Sequence, residues 1–209
     1  MAYVLGFFAA DGSMYTTKRK THFIEFHITD LEILEYIKAS LGSNHKISVR
    51  RYLSNPKWKL SYRLQLGSKE LFDSLLFLGM LPAKSKIISF PKVPADFLSH
   101  FIRGYFDGDG SVFLGRYWRK DRNKWKHVFQ VKFTSGSKQF LEGLRGSLGN
   151  RVKGGYLGEK KGGYELAFAQ KDGLVLFEFM YNNARAGSFL ERKHNVFLKA
   201  LKTLNAGVV

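Results

Sequence analysis

No cysteine occurs among the 209 residues, which excludes a disulfide framework, a thiolate zinc site and a cysteine nucleophile. Acid is scarce too: 17 Asp and Glu stand against 34 Lys and Arg, a formal charge of +17. A soluble fold this basic needs a polyanionic partner, and nucleic acid is the first candidate; the plain alternative is a solvated basic surface. No apolar run approaches the ~18 residues of a membrane span, so no membrane partner is expected. No signal peptide precedes the first helix, so an intracellular protein is expected. The histidines show no HExxH or other tight ligand spacing, and there is no Walker-type phosphate loop.

Apolar residues are plentiful. With 44% hydrophobic and 15% aromatic residues, the chain can bury a sizeable core as one compact domain or two fused subdomains. One segment occurs twice: Val4-Leu-Gly-Phe-Phe-Ala-Ala-Asp-Gly12 and Ile102-Arg-Gly-Tyr-Phe-Asp-Gly-Asp-Gly110. Gly6 and Gly104, like Asp11 and Asp109, stand 98 positions apart. Each copy reads as an apolar helix ended by Asp-Gly, with Gly12 a natural left-handed cap. The first helix begins almost at residue 1, which is compatible with a flanking segment upstream.

The pattern around each copy repeats. After the first helix, residues 13–20 and 22–29 read as a hairpin. Thr29 or Asp30 can cap a helix through Leu41, and Gly42 ends it. Strands follow around Ile47–Arg50 and Lys59–Leu66, turning at Asn55-Pro56, and Ser68 starts another helix ending at Gly79. Pro82, Pro91 and Pro94 punctuate a connector. The second round predicts a motif helix from Ala95, strands Ser111–Trp118 and His127–Thr134, and a helix Lys138–Leu148. Strands Arg151–Leu157 and Tyr164–Ala169 come next, then helices near Asp172–Asn182 and Phe189–Leu204. The reading is an α+β fold with a duplicated αββαββα unit, residues 1–94 and 95–209.

The positive charge is concentrated on the strands. Residues 36–69 hold no Asp or Glu, and residues 110–141 hold only Asp121. In the second strand Glu25 and His27 alternate with apolar neighbours. Lys46, Ser48 and Arg50, and Lys59, Ser61, Arg63 and Gln65, do the same further on, as do Gln130 and Lys132 in the second half. A sheet with one apolar and one basic, polar face can lay the latter in a DNA major groove, where such side chains read base edges. Lys18, Lys57, Arg119 and Lys124 at hairpin tips suit phosphates, and Arg116 lies among them. Trp58, Trp118 and Trp125 either pack under these cations or touch DNA.

The paired acids invite chemistry. Small residues (Gly6, Ala9 and Ala10 in one copy, Gly104 and Gly108 in the other) would let two helices approach and bring Asp11 beside Asp109. Two carboxylates, each at the negative end of a helix dipole, repel. A divalent cation such as Mg²⁺ would resolve this and join phosphate oxygens. A calcium loop starting at Asp107 fails, because its glycine position holds Val112 and its distal Glu position holds Trp118. Asp107 has Ala9 as its counterpart and reads as structural or as a support behind the ligands.

The two nonapeptides, their separation and the basic strands behind them resemble the single-chain, two-motif LAGLIDADG homing endonucleases. The resemblance implies motif helices at a pseudo-twofold interface and two antiparallel four-stranded sheets forming a saddle over double-stranded DNA. It implies a monomer that cuts both strands of a long target, leaving short 3′ overhangs. Mg²⁺ would be the cofactor, with Mn²⁺ able to substitute and Ca²⁺ supporting binding without cleavage. Asp11 and Asp109 would be the catalytic metal ligands, joined by the carbonyls of Ala10 and Gly108. Lys84 and Lys193 best match basic residues that the family places near the scissile phosphates; the alternative is ordinary solvated lysines. Asp30 and Ser135 sit where some members position water, and Arg103 occupies a usually small position, at the helix edge. Competing readings on the same saddle are an intron-RNA maturase, which would add RNA as a partner, and a DNA-binding regulator. A basic structural protein is the third.

Overall fold

The computed structural model describes residues 1–51 and 59–205. The first half runs α1 (Ala2–Asp11), β1 (Gly12–Thr16), β2 (His22–Ile28), α2 (Leu31–Ser40), β3 (Ile47–Arg50), β4 (Ser61–Gly67) and α3 (Lys69–Phe77). A connector with a 3-10 turn at Lys84–Lys86 leads to the second round: α4 (Ala95–Asp109), β5 (Gly110–Arg119), β6 (Lys124–Ser135), α5 (Lys138–Leu148), β7 (Tyr156–Lys160), β8 (Gly163–Ala169) and α6 (Gln170–Tyr181). Helix α7 (Glu191–Asn205) follows. The strands form two antiparallel four-stranded sheets, ordered β1-β2-β4-β3 and β5-β6-β8-β7. The duplicated α+β unit is therefore present twice. Asn55, Pro56, Lys57 and Trp58 lie outside the described residues.

Both sheets are two-faced. Ile24, Phe26, Leu64 and Leu66 pack toward α2 and α3 in the first half; Phe129, Val131, Phe133, Leu166 and Phe168 do so toward α5, α6 and α7 in the second. Fully burying such side chains is worth roughly 1.5–3 kcal/mol each. Helix α1 is apolar nearly all round and correspondingly buried. It packs on α4 at the interface between the halves. Gly6 and Gly104 set the distance. A Cβ on Gly6 would fall onto the Phe101 carbonyl and lie 3.0 Å from the Tyr105 nitrogen; on Gly104 it would fall onto the Tyr3 carbonyl and lie 2.9 Å from the Phe7 nitrogen. Phe101 and Tyr105 are Tyr3 and Phe7 displaced by the same 98 positions, so the contact is its own image about a pseudo-twofold.

Several local expectations change. Gly12 and Gly110 are not left-handed caps: their φ, ψ values are −79°, 151° and −91°, 160°, extended backbone feeding straight into β1 and β5. Glycine is required there by space, because a Cβ would meet the Phe8 or the Phe106 side chain. Gly42 does take positive φ, +59°, at the end of α2. Asp30 sits at the N-cap of α2 without capping it; both its oxygens accept from Arg192, at 3.1 Å each. Strand β7 starts at Tyr156, since residues 149–151 form a 3-10 turn. Arg103 is not at an edge. It is buried, donating to the carbonyls of Met180 (2.8 Å) and Ser188, and lies over the Tyr3 ring.

Candidate functional site

Helices α1 and α4 end side by side, and each ends on a carboxylate. Asp11 lies against the backbone of Gly108: a Cβ on that glycine would be 3.3 Å from Asp11 Oδ2 and would clash with Ala10. Only glycine at position 108 therefore permits the approach. Crowding by protein raises the pKa of Asp109 to about 6, with the Asp11 charge the next cause; Lys193, Lys84 and Lys160 oppose both. Asp11 is raised by the same desolvation, against Lys193, Lys84 and His27. Among the described residues neither carboxylate takes part in an ion pair within bonding distance.

The two lysines are not solvated. Both are buried, and each amine is tied to the strand entry behind an acid. Lys84 Nζ donates to the Gly12 carbonyl and lies 4.8 Å from the Phe8 ring centroid. Lys193 Nζ donates to the carbonyls of Phe106 (2.6 Å), Asp107 (2.8 Å) and Gly110 (2.6 Å), and lies 5.1 Å from the Phe106 ring. Gly12 and Gly110, like Phe8 and Phe106, are matched positions of the repeat, so the lysines are images of each other. Burial lowers both to a pKa of about 8, against the pull of Asp11 and Asp109. Asp107 is structural, as read: buried, it accepts from Tyr3 Oη (2.8 Å) and from the Leu190 amide (3.0 Å) at the start of α7. Burial raises it to about 6.

Strand register assigns the sheet faces. In the first half His27 pairs with Arg63, Glu25 with Gln65, Ser48 with Arg63 and Arg50 with Ser61, so these share the face opposite the core. Gln65 Nε2 donates to Glu25 Oε1 (2.8 Å) and Tyr15 Oη (2.7 Å), Tyr15 donates to Glu25 (3.0 Å), and Arg63 lies 3.6 Å from Glu25. Ser61 is buried, 2.8 Å from His27 Nε2, so it orients that ring and does not itself reach outward. Lys18, Lys46 and Lys59 are exposed around this face. In the second half Ser111 pairs with Lys132 and Phe113 with Gln130, placing Gln130 and Lys132 on the outer face. Lys132 reaches Glu165 at 2.9 Å.

Arg116 and Trp118 are a correction. They pair with His127 and Trp125, on the face that carries Phe129 and Val131 nearer the core. Trp118 packs edge-on against Trp125, with Arg116 over Trp125 at 4.6 Å. Arg119 and Lys124 pair beside the turn of the β5–β6 hairpin on the outer face; Arg119 is bonded to Asp121. Ser135 is buried and accepts from the Ser137 amide, and Asp30 is occupied by Arg192. Tyr15, Tyr156 and Lys160 were missed. Tyr156, Gly158 and Lys160 share one face of β7, which the sequence assigned to an earlier segment.

A profile of the LAGLIDADG-like domain matches residues 1–77 and again 96–178. The chain belongs to the LAGLIDADG family. It carries both LAGLIDADG motifs on one chain, and solved structures superpose along nearly its whole length. Against the LAGLIDADG meganuclease I-AabMI bound to uncleaved DNA the TM-score is 0.63 at 14% identity, covering 98% of this chain and 90% of that one. Against the homing endonuclease I-WcaI bound to its DNA recognition sequence it is 0.61 at 16%, covering 94% and 84%. Against I-SmaMI bound to uncleaved DNA with calcium ions it is 0.63 at 14%, covering 99% and 92%. These likenesses concern the LAGLIDADG fold. A 146-residue stretch is also 30% identical to the DNA-directed RNA polymerase subunit Rpo1C of Methanocaldococcus jannaschii, and spans 15% of that protein's length.

Proposed function

We propose that this LAGLIDADG protein is a monomeric, site-specific endonuclease for double-stranded DNA that hydrolyses one phosphodiester on each strand. The observation that carries the reading is the convergence of two uncompensated carboxylates, Asp11 and Asp109, on the pseudo-twofold between two outward-facing polar sheets.

The donors fit a hard divalent cation. Asp11 and Asp109, with the carbonyls of Ala10 and Gly108, are hard oxygen donors and would leave positions for water and phosphate oxygens, as Mg²⁺ prefers. Such a cation supplies Lewis-acid stabilisation of the leaving oxygen and a more acidic water. Asp11 and Asp109 hold the charge in place. Lys84 and Lys193 fix the backbone behind them and add positive field near the scissile phosphates. An ammonium has three donors. Lys193 spends three on carbonyls and Lys84 spends one, so Lys84 keeps protons for a phosphate. The polar faces position the duplex.

The test is to enrich duplexes from a random pool in Ca²⁺, switch to Mg²⁺ and map both strands. A double-strand break with a short 3′ stagger is expected, and Asp11→Asn or Asp109→Asn should lower cleavage by on the order of 10³-fold while retaining binding. Full cleavage by either variant sinks the roles given to these acids. Specific binding without any break in Mg²⁺ or Mn²⁺ would turn the reading to a binding module, with intron RNA the next ligand to assay.

A further inference from the structure

The outer faces of the two sheets are made of different chemistry. The first carries Tyr15, Glu25 and Gln65 hydrogen-bonded together, Arg63 3.6 Å from Glu25, His27 held by Ser61, and the Phe23 ring against Tyr15. The second also carries polar residues, Ser111, Gln130, Lys132, Thr134 and Glu165, but adds an exposed apolar stretch that the first lacks. Register places Phe113, Gly115 and Tyr117 on it from β5, Val128 from β6, Ala167 and Ala169 from β8, and Tyr156 and Gly158 from β7. Three of its aromatics are open to solvent: Phe113 at 56%, Tyr117 at 45% and Tyr156 at 76%.

Two of those rings are laid flat. A Cβ on Gly115 would lie 2.6 Å from Phe113 Cζ and 2.8 Å from its Cε1, so the ring covers the glycine two residues along the same face. A Cβ on Gly158 would lie 2.6 Å from Tyr156 Cε1 and 3.1 Å from its Cζ. The same device thus occurs on β5 and on β7. A ring folded over a glycine lies along the sheet and offers a broad apolar surface to solvent. Cations frame this apolar floor: Lys132 and Lys160 at the inner end, Lys124 and Lys126 at the outer. That charge complements a phosphate backbone on either side of a groove.

We infer that the second sheet reads its half of the DNA target chiefly by apolar contact with thymine C5-methyl groups, through Phe113, Tyr117 and Tyr156, whereas the first sheet reads its half by hydrogen bonds. The inference rests on the endonuclease reading. In the major groove the thymine methyl is the one apolar mark on a base edge, and aromatic side chains meet it. Each methyl covered is worth about three- to fivefold in affinity, by the transfer of one carbon out of water.

The test uses the duplex selected in Ca²⁺, with deoxyuridine replacing thymidine in one half-site at a time. Cleavage by an iron chelate tethered at Arg122→Cys, a unique cysteine in the exposed β5–β6 turn, assigns one half-site to the second sheet. Affinity should fall about tenfold or more when the half under the second sheet is demethylated, and little when the other half is. The Phe113→Ser/Tyr156→Ser variant should lose that methyl dependence while keeping the circular dichroism of the parent. Equal losses from both halves, no loss, or a selected second half-site without thymine would each overturn the inference and leave the endonuclease reading standing. Failure to enrich any duplex would overturn both.

Discussion

The two halves agree where they touch each other and differ where they face outward. Gly6 and Gly104, Asp11 and Asp109, and Phe8 and Phe106 correspond, and Lys84 and Lys193 hold matched places over those rings while bonding different numbers of carbonyls. The sheets do not. Strands β1 and β2 have 5 and 7 residues; β5 and β6 have 10 and 12. Strand β8 pairs with β6 only over Gln130–Ser135, so the hairpin beyond that is a two-stranded arm. On the endonuclease reading proposed above, the two phosphodiesters are chemically alike, so groups that meet them would keep a common arrangement, whereas the base pairs on either side need not be alike and the faces above them would be free to diverge. That face contrast is what the deoxyuridine experiment addresses; the remaining predictions probe the symmetric seam beneath it.

The largest effect should come from breaking the seam at its closest point. Gly6→Ala or Gly104→Ala puts a methyl onto a carbonyl oxygen of the facing helix. Overpacking costs ~1–3 kcal/mol where side chains can yield, and more where the obstacle is backbone. A fall in Tm of about 10 °C or more is expected for either variant. Thermal unfolding checks this, and because the two contacts are images, the two losses should match. A mild loss at one position only would show that the pseudo-twofold is not the organising contact.

The next effect concerns the acids. Asp109 has its folded pKa raised to about 6 from an unfolded value near 3.9. The folded state therefore binds that proton more tightly, and its ionisation costs stability as pH rises through this window. Burial raises Asp11 in the same direction, and the Asp11 charge helps to raise Asp109. In metal-free protein, the Tm difference between the parent and either Asp11→Asn or Asp109→Asn should shift in the parent's favour as pH falls from 7 toward 4.5. Asp107, raised to about 6 in all three proteins, cancels in that difference. A difference independent of pH would show that the two carboxylates do not share a crowded, water-poor site.

Much of this seam was legible in the sequence because it is written twice. A glycine and an aspartate at fixed spacing, recurring 98 residues on, mark a helix pair without any knowledge of what they touch. The lysines were legible as positions and not as environments: nothing local in Ala83-Lys84 or Arg192-Lys193 says that the amine turns back onto a carbonyl many residues away. The strand expected at Arg151–Leu157 contained Tyr156 without giving it a face and stopped short of Lys160, because the turn at residues 149–151 and the shift of β7 to Tyr156–Lys160 leave no local mark. Arg116 and Trp118 were chosen for residue type, although their parity puts them opposite Gln130. Arg103 was misjudged because its partners, the carbonyls of Met180 and Ser188, lie on segments far along the chain.

The smallest effect concerns an ionic tie across the halves that has no image among the described residues. Arg192, beside Lys193 on α7, reaches both oxygens of Asp30 at the start of α2. At the matched places on the other side stand Ala83, with no charge to offer, and Ser137, whose hydroxyl caps α5 by accepting from the Phe140 amide. With side-chain exposures of 58% and 26%, the pair should show a coupling of ~0.2–1 kcal/mol in a double-mutant cycle, shrinking as salt is added. The single variants should also differ. Asp30 occupies the N-cap of α2 yet caps nothing while Arg192 holds it. Arg192→Ala frees the carboxylate to accept from the first amides of α2, an interaction typically worth ~1 kcal/mol. Arg192→Ala should therefore be nearly neutral in chemical denaturation, and Asp30→Ala, which removes bridge and latent cap together, the more costly change. Should Arg192→Ala prove the costlier, the pair is a latch between the halves and not a surface tie.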